Sequence, residues 1–213
     1  MKTPVAGLLF VGAVLLTGVQ PAKGYLVTIT IEAVVDTVDD SGNYLEGQIS
    51  PGSLITGYYT YESTTPDSAP ENWLGKYEHL QTPYGITLEV GGFRFETNPN
   101  AVDFTIYISN DRISPMGDIY NIVSNNNSTL SNGVDVGWMY WQLDDRSGQA
   151  ISNTNLPLTA PILEDWLDGN VLLIEGIPRQ TDFIINAHVT SAIPEPATIL
   201  LFGLGALLLK KRG

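Results

Sequence analysis

Clustered carboxylates, two histidines and a set of aromatic residues are the side chains in this 213-residue sequence whose types suit binding or catalysis. Asp36, Asp39, Asp40 and Asn43 gather oxygen donors around Gly42, and Asp144 and Asp145, followed by Ser147 and Gly148, form a second acidic turn. A hard cation such as calcium takes about six to eight oxygen ligands. Neither stretch has the alternating aspartates, glycine and distal glutamate of a calcium loop. Solvated acidic turns are therefore expected, with no metal or cofactor assigned. Calcium on Asp36, Asp39, Asp40 and Asn43 is the alternative, as part of a calcium-dependent carbohydrate-binding module.

Catalytic constellations are sparse. His79 sits in Tyr77-Glu78-His79-Leu80 and His188 on a strand, and neither belongs to a His-x-x-x-His ligand pair. Ser53 follows Pro51-Gly52 without the Gly-x-Ser-x-Gly of a nucleophile elbow. Glu164 and Asp165 are adjacent acids near an expected helix start, where the helix dipole favours negative charge. No catalytic residue is assigned, and the body is expected not to be an enzyme. The rival, a secreted glycan-processing enzyme, requires an open cleft with two carboxylates about 5 to 9 Å apart. Trp73, Trp138, Trp141, Trp166, Tyr58, Tyr59, Tyr61 and Tyr140 are suited either to stacking on sugar rings or to a core. Alternation puts Trp138 and Tyr140 on one strand face and Met139, Trp141 and Leu143 on the other, so one set must be interior.

The elements that position these residues read as short strands with turn punctuation. Tyr25, Val27, Ile29 and Ile31 alternate with polar neighbours, followed by a polar loop from Asp36 to Asn43. Gln48 to Tyr61 is β-rich but interrupted at Pro51-Gly52 and Gly57. Thr64 to Trp73 reads as a loop. Ile86–Val90 and Phe93–Glu96 flank Gly91-Gly92, a two-residue hairpin signal. Further strands are predicted over Val102–Ile108, Asp118–Val123, Val136–Leu143, Val171–Glu175 and Phe183–Val189, the last with His188 facing away from Phe183, Ile185, Ala187 and Val189. One short helix is predicted, with Thr159 as cap, Pro161 in the first turn, Ile162, Leu163, Trp166 and Leu167 on one face, and Gly169 ending it. The expected fold is an all-β, antiparallel β-sandwich, jelly-roll-like, with that one helix.

Charge and cysteine content narrow the setting. From Tyr25 to Ile193, twenty-two Asp and Glu oppose five Lys and Arg, a net charge of −17. Such a surface repels phosphate backbones, which argues against nucleic-acid partners. No cysteine is present, so no disulfide staples the body and no lipid attaches to a leader cysteine.

Both ends carry targeting signals. Residues 1–24 read as a signal peptide: Lys2 supplies positive charge, Val5 to Leu16 the apolar stretch, and Ala22-Lys23-Gly24 the small residues read by a signal peptidase, with cleavage after Gly24. Residues 25–193 form the extracellular body. Residues 194–213 begin with Pro194-Glu195-Pro196, continue through an apolar run ending at Leu209, and close with Lys210-Lys211-Arg212. The thirteen residues from Ala197 to Leu209 make about 20 Å of helix against a hydrocarbon core of about 30 Å. The span is short, which suits brief residence in a bilayer under mismatch. The basic cluster resists translocation and holds the far end in the cytoplasm.

The order of Pro194-Glu195-Pro196-Ala197-Thr198, apolar helix and Lys210-Lys211-Arg212 resembles the PEP-CTERM sorting signal of exported bacterial proteins. That resemblance implies recognition by exosortase, cleavage near Pro-Glu-Pro, and a Gram-negative host that makes exopolysaccharide. It implies export, transient anchoring in the inner membrane, and release to the cell surface or the extracellular matrix. The body also resembles a domain recurrent in PEP-CTERM proteins, through Gly57 to Ser68, Ser109-Asn110-Asp111, Leu143 to Gly148, Leu156-Pro157 and Leu163 to Trp166. The resulting expectation is a non-catalytic surface or matrix protein, associated with exopolysaccharide or biofilm, whose partners are exosortase and the export machinery.

Overall fold

The computed structural model describes residues 24–112 and 117–195. Ten strands make up the body: β1 (Leu26–Asp39), β2 (Leu54–Glu62), β3 (Leu74–His79), β4 (Gly85–Val90), β5 (Phe93–Glu96), β6 (Phe104–Arg112), β7 (Gly117–Ser124), β8 (Val136–Asp145), β9 (Gly169–Gly176) and β10 (Ile184–Pro194). All pair antiparallel in one continuous sheet ordered β3-β6-β7-β8-β9-β10-β1-β2-β4-β5.

Period-two alternation decides which side chains each strand buries. On β1, Val27, Ile29, Ile31, Ala33 and Val35 point inward, while Leu26, Glu32 and Asp36 are exposed. On β8, Met139, Trp141 and Leu143 are fully buried, and Trp138 faces out. The β4–β5 hairpin turns on Gly91 and Gly92 with φ of 58° and 81°, the left-handed pair that matches strand twist. A side chain at Gly91 would also press on Ile49 Cγ1 at 2.6 Å and the Gln48 carbonyl at 2.8 Å, so glycine is required there twice over.

The sheet curls until strands distant in its order face each other across a single core. Tyr59 on β2 meets Tyr120 on β7 hydroxyl to hydroxyl at 2.9 Å, and its ring lies 6.2 Å from that of Trp141 on β8. Phe95 on β5 sits 6.3 Å from Phe183, just before β10. The β5 edge is covered where Thr97 bridges to Asn127, with Asn98 N–H donating to the Asn126 carbonyl and Ser128 N–H to that of Glu96, both at 2.9 Å. Covering an edge removes a template for unwanted strand pairing. Trp141, Tyr59, Tyr61, Tyr120, Phe95 and Phe104 are the largest fully buried side chains. Burying a core side chain the size of Phe contributes about 1.5–3 kcal/mol.

The all-β, antiparallel expectation holds, but the architecture differs from a two-sheet jelly-roll-like sandwich. One curled sheet supplies both walls of the core, because β1 pairs with β10 from Ile29 to Asp39 on one side and with β2 from Leu26 to Val34 on the other. The expected loop from Asp36 is a second correction: β1 continues to Asp39, held by Thr37 against Asn186 and Val38 against Ile185. The expected helix after Pro161 is a third. Among the described residues the helical structure is a 3₁₀ turn at Leu163–Asp165, entered from an extended Ile162 with no side-chain cap. Ile162 and Leu167 are 63% and 81% exposed, and of that stripe only Trp166 is buried. A short helix without a packed apolar face has too little to hold it. β3 is an additional strand, lying between the loop that ends at Trp73 and the Gly91-Gly92 hairpin.

Candidate functional site

Pro194 ends β10 in register with Ile29 of β1, and Glu195 N–H donates to the Thr28 carbonyl at 3.0 Å. The first two residues of Pro-Glu-Pro are therefore part of the sheet rather than of a free tether. A proline is tolerated at such a strand end because no interior ladder bond needs its missing N–H. β10 finishes where β1 begins, so Gly24 and Glu195 leave the body at the same pole. The four residues from Thr28 back to Gly24 span at most about 14 Å when extended. Ala22, Pro196, Lys210, Lys211 and Arg212 lie outside the described residues, as do the rest of the expected signal peptide and the terminal apolar helix. Among the described residues, no helix is long and apolar enough to cross a membrane.

The first acidic turn does not converge. Asp36 accepts from His188 Nδ1 at 2.8 Å on the exposed sheet face. Asp40 folds back onto its own turn, accepting the N–H groups of Tyr44 at 2.7 Å and Leu45 at 2.8 Å. Asp39 closes β1, and Asn43 occupies a left-handed turn position at φ 55°. Among the described residues, no group of three or more Asp, Glu or His is placed to hold a metal ion.

The second acidic turn is a structural clamp. Asp145, 1% exposed, accepts from Ser147 N–H at 3.0 Å, Ser147 Oγ at 2.8 Å, Gln149 N–H at 2.8 Å and Ala150 N–H at 3.0 Å. The Gln149 amide, then the Ser147 hydroxyl and the other amides, hold its carboxyl below the usual carboxylate range against the opposing effect of burial. Asp118, in register opposite and also buried, accepts Asp111 N–H at 2.9 Å and Ile151 N–H at 3.0 Å. Together they tie the β6 end and the segment after β8 to the sheet.

The two histidines lie on β3 and β10, with four strands between them in the sheet. His79 is 2% exposed; its Nδ1 faces the Tyr77 carbonyl at 3.1 Å and so carries the proton, leaving Nε2 to meet Thr65 Oγ1 at 2.9 Å. Burial lowers its pKa and favours the neutral ring. Ser53 is used locally, its hydroxyl accepting Ser50 N–H at 3.1 Å. A cleft of about 580 Å³ runs between β6–β7 and the segment after β8, with Asp165 as its one lining carboxylate among the described residues. A smaller cleft of about 320 Å³ is lined by Glu62, Glu78, His79 and Tyr84. There Glu78 is bound to Lys76 at 2.9 Å and to Ser68 at 2.9 Å, contacts that lower its pKa. Glu62 accepts the Tyr84 hydroxyl at 3.1 Å.

The aromatic residues divide by strand face. Tyr59, Tyr61, Trp141 and Trp166 are interior. Tyr58 and Trp138 are 38% and 39% exposed, and Tyr140 is half-buried beside Trp138, ring centroids 5.0 Å apart and tilted by 45°. The Trp138 indole N–H donates to the carboxylate of Glu175, its register partner on β9. Farther along the same face, Asn121 Nδ2 donates to Gln142 Oε1 at 3.0 Å, and Gln142 Nε2 donates to both Asp144 carboxylate oxygens at 3.0 Å. Asn121 and Gln142 were missed from sequence, because their adjacency depends on the pairing of β7 with β8.

Comparison with known proteins identifies one segment. Residues 192–212 match the family model of the PEP-CTERM protein-sorting motif, so that the match begins inside β10 and runs to the basic tail. No curated protein and no solved structure matches the chain.

Proposed function

For a chain that carries the PEP-CTERM protein-sorting motif, and is thereby an exported, cell-surface-directed protein recognised by exosortase, we propose a non-catalytic role as a surface or extracellular-matrix component. The sorting motif at residues 192–212 is the observation that carries this reading. The geometry of the ends supports it. Both ends of the body leave from one pole, so a leader and a terminal helix would hold the same pole toward the membrane and leave the remainder of the curled sheet facing outward.

A structural body, rather than an enzyme, is supported by how its polar groups are used. Asp118 and Asp145 are consumed by backbone amides. The 580 Å³ cleft presents one carboxylate where glycoside hydrolysis generally uses two. In the smaller cleft, Glu78 is shifted away from the raised pKa that a general acid requires. Pro194, Glu195 and Pro196 serve as the processing motif, and Lys210, Lys211 and Arg212 as the stop to translocation, with Ala22 and Gly24 marking leader removal.

Protease protection tests the topology. In spheroplasts lacking exosortase, added protease should degrade the body while a tag after Arg212 stays protected. A protected body, or an accessible tag, would contradict the reading.

A further inference from the structure

The outward face of β8 and its neighbours has the composition of a ligand platform. Trp138, Tyr140, Gln142 and Asp144 follow one another on that face at roughly 7 Å intervals. Tyr107 and Asn121 continue the Gln142 row across β6 and β7. The aromatic pair is fixed in place, since Glu175 takes the indole N–H and Tyr140 packs against the ring. The amide pair is fixed as well, with Asn121, Gln142 and Asp144 joined by hydrogen bonds.

Magnitude helps identify the ligand. A tryptophan covers at most about 250 Å², so 39% exposure leaves no more than about 100 Å² of the residue open to a ligand. Stable protein partners bury about 800 Å² a side, and apolar patches that mark them usually exceed a few hundred Å². An aromatic area this small suits one sugar ring, whose C–H face stacks on an indole while its rim of hydroxyls seeks planar donors and acceptors. Asn121 Nδ2 keeps a second N–H to donate, Gln142 Oε1 a second lone pair with which to accept, and Asp144 offers further acceptors. Charge narrows the class further. Glu175 and Asp144 border the strip, Lys76 on β3 is already paired with Glu78 at 2.9 Å, and the whole chain carries −13. Uronate-rich or phosphorylated polymers are repelled by such a surface.

We infer that this face binds a neutral polysaccharide, with Trp138 and Tyr140 stacking on a sugar ring and Gln142, Asn121 and Asp144 bonding its hydroxyls. The inference rests on the proposed surface role for its setting, while the site itself is defined by the sheet.

The test uses the exported product purified from culture medium. It is run in native affinity gels containing soluble β-glucan, xylan, mannan or dextran, with polygalacturonate as the acidic comparison. Retardation by at least one neutral polymer, and none by polygalacturonate, is expected. Trp138→Ala should weaken binding by about tenfold, Trp138→Phe by less, and Gln142→Ala by an intermediate factor. Tyr58→Ala, on β2 away from the strip, should bind as wild type. Thermal melting confirms that each variant is folded, and intact mass shows whether it is still exported and trimmed. Normal trimming without retardation by any neutral polymer would overturn the inference and leave the sorting role standing. Retardation by polygalacturonate alone, or undiminished binding by folded Trp138→Ala, would overturn it too.

Discussion

Replacing Asp145 with alanine is expected to lower stability by about 3 kcal/mol. Four hydrogen bonds end on this one carboxylate, and bonds to a charged acceptor are each worth about 1.5–3 kcal/mol. Their simple sum is not expected, because Ser147 and Gln149 are exposed enough for water to replace part of what is lost. Alanine leaves the Ser147, Gln149 and Ala150 amides seeking partners and frees the segment that carries Ile151 to Asp118. For a chain of this size, about 3 kcal/mol corresponds to a fall in melting temperature of about 6–12 °C. The pH dependence has a definite sign. The folded-state carboxyl is held below its unfolded value of about 3.9, so its contribution is complete above that value and is lost as pH falls through the lower folded one. The gap between wild type and Asp145→Ala should therefore stay constant from pH 7 to about pH 5 and narrow below about pH 4. Calorimetry across that range measures both quantities. A fall of less than about 2 °C at pH 7, or a gap that ignores acid, would refute the clamp.

Tyr120→Phe strands the buried Tyr59 hydroxyl now bonded at 2.9 Å and should cost about 1–2 kcal/mol, read by urea unfolding. Burial raises the pKa of Tyr59, Tyr61 and Tyr120. Stability from these phenols is thus complete below about pH 10 and lost above it, and their ionisation, followed by tyrosinate absorbance, should coincide with alkaline unfolding. Inserting a flexible Gly-Ser segment after Ile193 separates Pro194 and Glu195 from their β1 partners; pulse–chase labelling should show faster trimming, and an unchanged rate would mean that strand pairing does not limit access. Reducing-sugar assays on soluble glycans should give no turnover, whereas release abolished by Asp165→Asn or Glu62→Gln would establish an enzyme.

Local signals carried much of the fold. The Gly91-Gly92 hairpin, the inward set Phe183, Ile185, Ala187 and Val189, and the opposite faces of Trp138 and Trp141 all follow from period two and turn chemistry. What failed depended on distant pairing. Asp36 through Asp39 reads as a polar loop, yet its backbone is claimed by β10 about 150 residues later in the chain. Ile162 to Leu167 has helical spacing, but a stripe is useful only if a surface receives it; here Trp166 is buried beside Tyr120 at 6.4 Å and Leu163 is half-buried against the core, while Ile162 and Leu167 stay exposed. The same reason hid the clamp: Asp118 looks like an ordinary outward strand residue until β7 pairs with β8 and places it opposite Asp145. The terminal signal was legible because it works as a linear address, read by order and polarity without a fold to assemble it.

The most direct measurement is the intact mass of the product outside the cell, compared between strains with and without exosortase. Processing at both ends predicts a species beginning near Tyr25 and lacking the apolar run and Lys210-Lys211-Arg212 in the first strain, and a species retaining that tail in the second. The same untrimmed tail in both strains would contradict the account.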